Sequence, residues 1–228
     1  MLDLAVETRA WCSTRTTDDE DAVRLLAHRG LWTSLEQRNT LQAFDAAFAM
    51  GFGLELDVRD HAHALVVSHD PPDGSEPTLA AVLSAWREAS GPGVLAVNIK
   101  ADGLAPQLAG ALHEHDRWFA FDMSVPDMLS FRRLGLPYAT RQSDIEVEPV
   151  LVEGAAAVWV DGFDRDIVTA PLLEAHRSAG RAVAVVSPEL HGREYRSAWD
   201  LWSTWDVFHD EGVLLCTDQP IEAGGVFS

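Results

Sequence analysis

The fold of this chain is decided by four segments: L-A-H-R-G at Leu26–Gly30, R-N-T-L-Q-A-F at Arg38–Phe44, G-L-E-L-D-V-R at Gly53–Arg59 and V-S-H-D at Val67–Asp70. The first, third and fourth segments are apolar runs with polar side chains at or near their ends, a pattern typical of buried strands with exposed tips. The second spaces its apolar residues at helical intervals behind a threonine that can cap a helix. Residues 26–70 therefore predict a strand, a helix, a strand and a hairpin strand, in that order.

Glu55 and Asp57 are two residues apart on the predicted second strand, so their side chains share one face of it. Two carboxylates on a buried face repel each other and are costly to bury unless a cation lies between them. Ligation by oxygen alone suits hard ions such as Mg²⁺, Ca²⁺ or Mn²⁺ better than Zn²⁺. The pair therefore indicates a site for one divalent cation.

Two imidazoles and a guanidinium are expected beside these carboxylates. His28 and Arg29 end the first strand, and His69 follows the hairpin strand predicted at Ala64–Ser68. A metal ion and an arginine can neutralise phosphoryl oxygens while one histidine deprotonates a nucleophile and another protonates the leaving alcohol. Histidine suits both tasks because its ordinary pKa lies near neutrality. This set of residues favours phosphodiester cleavage.

In their order and spacing, the elements H-R-G, N-T, E-x-D-V and H-D resemble the glycerophosphodiester phosphodiesterase family, within the phospholipase-C-like phosphodiesterases. The resemblance covers about residues 23–100. It implies the following roles: His28 and His69 as the acid–base pair, Arg29 as a phosphate ligand, and Glu55 and Asp57 as metal ligands.

The third metal ligand of that family lies in an E-x-K pattern, and this chain has Asn98-Ile99-Lys100 at the corresponding place. Lys100 matches the pattern, and the resemblance implies that it binds phosphate. Asn98 departs from it. An amide oxygen can ligate a hard cation, but the substitution removes one negative charge, so the metal affinity depends on how well this oxygen replaces a carboxylate.

Strand and helix signals alternate along the chain, with polar residues at the ends of the strands. Eight barrel strands are predicted to start at Val23, Leu54, Val94, Trp118, Tyr138, Ala156, Ala182 and Val213. Eight strand-then-helix units predict an α/β TIM (β/α)8 barrel, whose active site lies at the carboxyl ends of its strands. Ala64–Ser68 would be a small β-hairpin insertion after the second strand. We expect residues 1–22 to be a lead-in segment and residues 23–228 a single phosphodiesterase-like domain.

Further residues at this rim are candidates for substrate binding. Asn39 could hold the loop near His28 or simply cap the helix, and Asp122 could restore the carboxylate missing at position 98. Arg141 could bind the second polar end of a substrate or form a surface ion pair. Trp159 could be an apolar wall for an alcohol such as glycerol or part of the barrel core. The predicted rim also contains Asp161, Glu189, His191, Arg193 and Asp218.

Composition limits the classes of function. The 17 basic and 36 acidic residues give a formal net charge of −19, which argues against a nucleic acid or an anionic membrane surface as partner. No apolar run is long enough for a transmembrane helix, and the N-terminus shows no signal-peptide pattern. Two cysteines are too few for a disulfide framework, so a cytoplasmic location is expected. The sequence leaves the oligomeric state open.

The leading hypothesis is a metal-dependent phosphodiesterase acting on a glycerophosphodiester or another small phosphodiester, with His28 and His69 sharing the acid and base roles. Water could attack directly, or a neighbouring substrate hydroxyl could attack first and give a cyclic phosphate. One alternative is a lipid phosphodiesterase of the sphingomyelinase-D type. The other is a degenerate barrel that binds a phosphodiester or a metal without turnover, for which Asn98 is the main support.

Overall fold

The computed structural model describes residues 24–227, which contain a nine-stranded sheet. The lead-in segment predicted at residues 1–22 lies outside the described residues. The strands are β1 (Arg24–His28), β2 (Gly53–His61), β3 (Ala64–Val67), β4 (Leu95–Ile99), β5 (Trp118–Phe121), β6 (Ala139–Ser143), β7 (Ala157–Asp161), β8 (Ala182–Val186) and β9 (Val213–Thr217).

Helices connect consecutive barrel strands except between β6 and β7, and α7 follows β9. They are α1 (Leu41–Ala49), α2 (Leu79–Glu88), α3 (Ala105–Ala111), α4 (Val125–Leu134), α5 (Ala170–Ser178), α6 (Arg196–Trp202) and α7 (Pro220–Phe227). Short 3-10 helices lie at Leu35–Gln37, Pro188–His191 and Asp206–His209. Within residues 24–227, every helix is too short or too polar to cross a membrane.

The strands form a parallel barrel in the order β5-β4-β2-β1-β9-β8-β7-β6, and β3 pairs antiparallel with β2 alone. One bridge between Ala120 of β5 and Tyr138, just before β6, nearly closes the ring. The TIM barrel prediction and the hairpin insertion after the second strand are both confirmed. The barrel strands that the sequence predicts begin within one residue of the observed ones.

Alternation along the strands separates two kinds of core. Leu54, Leu56 and Val58 of β2 pack outward against the helices, whereas Glu55 and Asp57 are buried on the inner face. The barrel interior is filled by residues of the strands. Most of them are small, which leaves room for three large aromatic rings: Phe119, Phe121 and Trp159. The rings of Phe121 and Trp159 stack with centroids 3.9 Å apart. Trp159 is therefore part of the barrel core.

Two helices differ from the sequence expectation. The sequence predicts one helix over about 194–205, but α6 is shorter and Trp205 lies beyond it. The sequence gives no sign of α7, because it contains two glycines, which are poor helix formers. Its Ala223 and Phe227 are fully buried in a cluster with Leu25 of β1. Burial against the barrel therefore outweighs the weak helical propensity of this segment.

Candidate active site

A cavity of about 250 Å³ opens at the carboxyl ends of the barrel strands. Strand register brings its first wall together, because His28 pairs with Glu55 across β1 and β2, and Asp57 pairs with Asn98 across β2 and β4. His28, Glu55 and Asn98 all line this cavity, together with Arg29. Residues far apart in sequence therefore meet at the face where TIM barrels carry their active sites.

His28 is held by a carboxylate from the last strand of the barrel. Its Nδ1 lies 2.6 Å from Oδ1 of Asp218, and the other oxygen of Asp218 accepts a hydrogen bond of 3.0 Å from Arg38. An Nδ1–H that donates to Asp218 leaves Nε2 available for proton transfer. Nε2 lies 3.8 Å from Oε2 of Glu55. The imidazole is thus held in one orientation at the cavity wall, between Asp218 and Glu55.

Asp57 is completely buried and is held by three side chains. Its oxygens lie 2.9 Å from Nε of Arg29 and 3.1 Å from Nζ of Lys100, and it accepts a hydrogen bond of 2.8 Å from Asn39. Burial alone would raise the pKa of Asp57, but the charges of Lys100 and Arg29 and the bond from Asn39 hold it below its usual range. Asp57 therefore remains ionised and fixes both cations at the rim.

The loop that positions Arg29 and Asn39 has an unusual backbone. Both residues have φ of 57°, in the left-handed region that non-glycine residues rarely adopt. The amide of Asn39 donates to the carbonyl of Arg29 at 3.0 Å, which closes the loop. Thr40, not Asn39, caps α1 through its side chain. Asn39 thus acts as a partner of Asp57, and local backbone strain accompanies this arrangement.

Gly30 lets α1 approach this loop. Its φ is +96°, and a Cβ at this position would lie 2.7 Å from the Cβ of Ala43. A larger residue would therefore move α1 away from the strand end that carries His28.

Glu55 and Asn98 form the oxygen-rich part of the wall. The amide of Asn98 donates to Oε1 of Glu55 at 3.2 Å, while Oε2 of Glu55 and Oδ1 of Asn98 are buried without a hydrogen bond. Burial and the negative charge of Asp57 raise the pKa of Glu55 to about 7. These two oxygens, one of them from the buried carboxylate of Glu55, lack hydrogen-bond donors and therefore fit a hard divalent cation. Within residues 24–227 no group of three His, Cys, Asp or Glu side chains is arranged to hold a metal, so the fit depends on Asn98.

His69 has different surroundings from His28. Its side chain is 49% exposed and its Nδ1 contacts Asp70, which is 87% exposed, at 2.9 Å. His69 does not line the cavity. Its catalytic role stays a prediction.

Known structures resemble this arrangement in fold. The sequence matches no family model and no curated protein. A structure from Galdieria sulphuraria, described as a glycerophosphodiester phosphodiesterase, aligns with a TM-score of 0.70 and 15% identity over 92% of this chain and 99% of its own. The chain has the fold of the glycerophosphodiester phosphodiesterases.

Two further structures agree with this assignment of the fold. The glycerophosphodiester phosphodiesterase of Thermotoga maritima aligns with a TM-score of 0.61 and 18% identity, over 88% of this chain and 96% of its own. A phosphodiesterase of Oleispira antarctica, solved in complex with its product sn-glycerol-3-phosphate, aligns with a TM-score of 0.64 and 15% identity over 90% and 96%.

On this glycerophosphodiester phosphodiesterase fold, the remaining predicted residues lie along β5, β6 and β7. Asp122 lines the cavity and forms an ion pair with Arg141, which lies within β6 rather than at its end. Arg141 also lies 3.4 Å from Glu146. Trp159 lines the cavity with only 4% of its surface exposed. The carboxylate of Asp122 is thus paired with a guanidinium, and its replacement of the carboxylate missing at position 98 stays a prediction.

Sequence reasoning missed three contacts at this rim: His28 with Asp218, Arg38 with Asp218, and His191 with Asp161. It placed Asp161, His191 and Asp218 at the rim without a role, because each follows or ends a strand, and it said nothing about Arg38. In the structure Nε2 of His191 lies 2.6 Å from Oδ1 of Asp161, and both residues line the cavity. The contact between His28 and Asp218 joins residues 190 positions apart, a pairing for which the sequence carries no local signal.

Proposed function

We propose that this chain is a metal-dependent phosphodiesterase that hydrolyses a glycerophosphodiester or a similarly small phosphodiester. The observation that carries the proposal is the position of His28, which is oriented by Asp218 at the wall of a cavity that Arg29, Glu55 and Asn98 also line. An acid–base group, an anion-binding group and free oxygen ligands thus meet at one place. Metal-dependent phosphodiester hydrolysis can use all three kinds of group.

Arg29 would bind the phosphate. Its contact with Asp57 uses Nε, so the terminal nitrogens of the guanidinium are available for phosphoryl oxygens, which arginine binds in a bidentate manner. Lys100, fixed by the same carboxylate, adds a second positive charge. Together the two cations leave one uncompensated positive charge around Asp57, in a chain whose net charge is −19.

Glu55 and Asn98, with Asp57 beside them, would hold a divalent cation such as Mg²⁺ or Ca²⁺, or Mn²⁺. A bound cation would supply neutralisation of the charge on the phosphoryl oxygens. The protein's own contribution is to keep Oε2 of Glu55 and Oδ1 of Asn98 in place without hydrogen bonds.

The size of the cavity supports a small substrate. Its volume of about 250 Å³ is below the range of roughly 300–1,000 Å³ that is typical of pockets for drug-sized ligands. Trp159, Val186 and Leu190 provide an apolar wall against which the carbon chain of an alcohol such as glycerol can pack. The Oleispira antarctica neighbour is described with the product sn-glycerol-3-phosphate, and we propose the same class of product here.

The test is hydrolysis of a panel of glycerophosphodiesters by the purified chain with Mg²⁺, Ca²⁺ or Mn²⁺, followed by ³¹P NMR. We expect turnover that EDTA abolishes and that His28→Gln lowers about 10²- to 10⁴-fold. A cyclic phosphate among the products would show attack by a substrate hydroxyl, and its absence throughout a time course would favour direct attack by water. Undiminished turnover in His28→Gln would contradict the proposed role of this residue.

A second function, binding without turnover, is favoured by Asn98 and by the two cations that already contact Asp57. It predicts that calorimetry detects binding of sn-glycerol-3-phosphate or a metal while no diester is cleaved under any condition. Including a lysophospholipid in the same panel tests the sphingomyelinase-D alternative.

A further inference from the structure

Two histidines line the cavity in the described part of the chain, and they are His28 and His191. We propose that His191, held by Asp161, is the second acid–base residue of this cavity and protonates the leaving alcohol. The family resemblance implies His69 as the partner of His28 and leaves open which of the two supplies this proton. The inference rests on the proposed phosphodiesterase function and adds a residue to it.

His191 is oriented in the same way as His28. Its Nε2 lies 2.6 Å from Oδ1 of Asp161, which ends β7 and is almost fully buried. An Nε2–H that donates to Asp161 leaves Nδ1 for a substrate. The imidazole also packs edge-on against the ring of Phe163, with centroids 5.2 Å apart. His191 is therefore held in one orientation, as a proton donor in a binding site must be.

The segment that carries His191 is connected to the partner of His28. His191 ends the 3-10 helix Pro188–His191, in which Glu189 accepts hydrogen bonds from the side chain of Thr217 and, at 3.1 Å, from the amide of Asp218. The two His–Asp pairs are thus fixed relative to each other through Glu189. His69, in contrast, contacts an exposed carboxylate outside the cavity lining.

The arrangement of the walls assigns His191 to the alcohol. Around the barrel from β1, which Arg29 follows, the metal-ligand candidates on β2 and β4 lie in one direction with Lys100 after β4, and β9, β8 and β7 follow in the other. His191 and Asp161 lie on this second side, next in sequence to Leu190 and close to Trp159 of the apolar wall. A leaving alcohol that packs on this wall would place its oxygen, which is bonded to phosphorus, on the side of the phosphate that faces His191.

The proposed step balances as follows. The attacking oxygen forms a bond to phosphorus and gives its proton to Nε2 of neutral His28. The bond between phosphorus and the leaving oxygen breaks, its electron pair stays on that oxygen, and the imidazolium of His191 supplies the proton. The step leaves His28 protonated and His191 neutral, and proton exchange with water restores both.

The charged groups around His191 come from several elements. Asp161 lies on β7, Arg141 on β6, Asp122 after β5, and Glu189 on the same 3-10 helix, with Asp218 and His28 across the cavity. Burial raises the pKa of Asp161, whereas His191 and Arg141 act in the opposite direction.

The experiment measures the rates of the His191→Gln and His69→Gln variants of this chain on two substrates. One is a glycerophosphodiester with an alkyl leaving group, which needs a proton, and the other is a p-nitrophenyl diester, which does not. We expect His191→Gln to lower kcat about 10²- to 10⁴-fold on the alkyl substrate and far less on the nitrophenyl one. We expect His69→Gln to show no such selectivity between the two substrates, and His115→Gln, whose side chain is 88% exposed, to change neither rate by more than about threefold.

A loss in His191→Gln that is equal on both substrates, or a selective loss in His69→Gln, would overturn the inference. A wild-type chain that cleaves neither substrate would instead refute the proposed function, and the inference with it. Ring resonances in NMR provide a second measurement that does not depend on catalysis: sn-glycerol-3-phosphate should shift those of His191 and leave those of His69 in place. Shifts confined to His69 would also overturn the inference.

Discussion

The two halves of the barrel organise their polar side chains differently. In the first half-barrel, residues 24–100, Asp57 alone contacts Arg29, Lys100 and Asn39. At the cavity wall of the second half-barrel, residues 118–227, Asp122 and Asp161 each contact one side chain, Arg141 and His191 respectively. Replacing Asp57 therefore disturbs several groups at once, whereas replacing Asp122 or Asp161 affects mainly one contact.

His28 links the halves, and its replacement is expected to have the largest effect. His28→Gln removes the imidazole that Asp218 orients, and we expect kcat to fall about 10²- to 10⁴-fold, the usual contribution of a positioned acid–base group. Steady-state hydrolysis of the best glycerophosphodiester measures this. His115→Gln is the matched control, because that side chain is 88% exposed. Similar rates in both variants would separate His28 from the chemistry.

Asp57→Asn tests the cross-linked half directly. The substitution leaves Arg29 and Lys100 near each other without their shared counter-charge, and we expect a loss of about 3–5 kcal/mol in the free energy of unfolding. Urea denaturation followed by circular dichroism measures it. Asp70→Asn removes an exposed carboxylate from a similar pair and should cost less than about 0.5 kcal/mol. Equal losses in the two variants would show that the ion pairs of the first half-barrel are not special.

Asn98→Glu sharpens the difference between ion pairs and metal ligands. A third carboxylate beside Glu55 and Asp57 should destabilise the metal-free protein by about 1–3 kcal/mol, and Mg²⁺ or Ca²⁺ should reverse the loss. Thermal unfolding with metal and with EDTA measures this, with the wild type as reference. A Tm of Asn98→Glu that is the same with metal and with EDTA would exclude a cation between positions 55 and 98. Turnover that appears only in Asn98→Glu would support binding without catalysis in the natural chain.

The smallest effect is expected in the second half-barrel. Nε2 of His176 lies 2.7 Å from Oε1 of Gln142, and burial, helped by the charge of Arg181, lowers its pKa. The unfolded chain therefore binds a proton at a higher pH than the folded chain, so stability falls as pH drops below about 6.5. Each unit of lowering contributes about 1.4 kcal/mol.

Urea denaturation between pH 7.5 and 5 measures this loss. The wild type should lose more stability over that interval than His176→Gln, which carries no titrating ring. Parallel pH profiles for the two proteins would assign the acid sensitivity to other groups.

The sequence was sufficient for the barrel because most of its strands are apolar runs that end in polar residues, with β2 alternating and β6 largely polar. The position of the inner face of β2 followed from alternation alone. It was insufficient for α7, whose Gly224 and Gly225 give no helical signal and whose stability comes from burial of Ala223 and Phe227. Packing between segments that lie far apart in the sequence depends on the folded structure and leaves no local pattern in the sequence.

For the candidate site, the sequence indicated residues but not their partners. Arg29, Asn39, Asp57 and Lys100 were all identified, and the structure joins them. The partners of His28 and His191 were not, since 190 and 30 residues separate them along the chain. A motif records which side chains follow one strand, whereas barrel closure decides which strand ends lie together.

Barrel closure is also uneven, because Ala120 and Tyr138 form the one bridge between β5 and β6 where other neighbouring strands in the described ring share a ladder. Across the same gap, at the mouth, Asp122 is paired with Arg141. The ring thus has one weakly hydrogen-bonded junction with an ion pair across its top. The cavity borders this junction through Phe121 and Asp122. Widening of the mouth would break the fewest backbone hydrogen bonds at this junction, which lies where the phosphate-binding side, ending at β5, meets the alcohol-binding side, ending at β6.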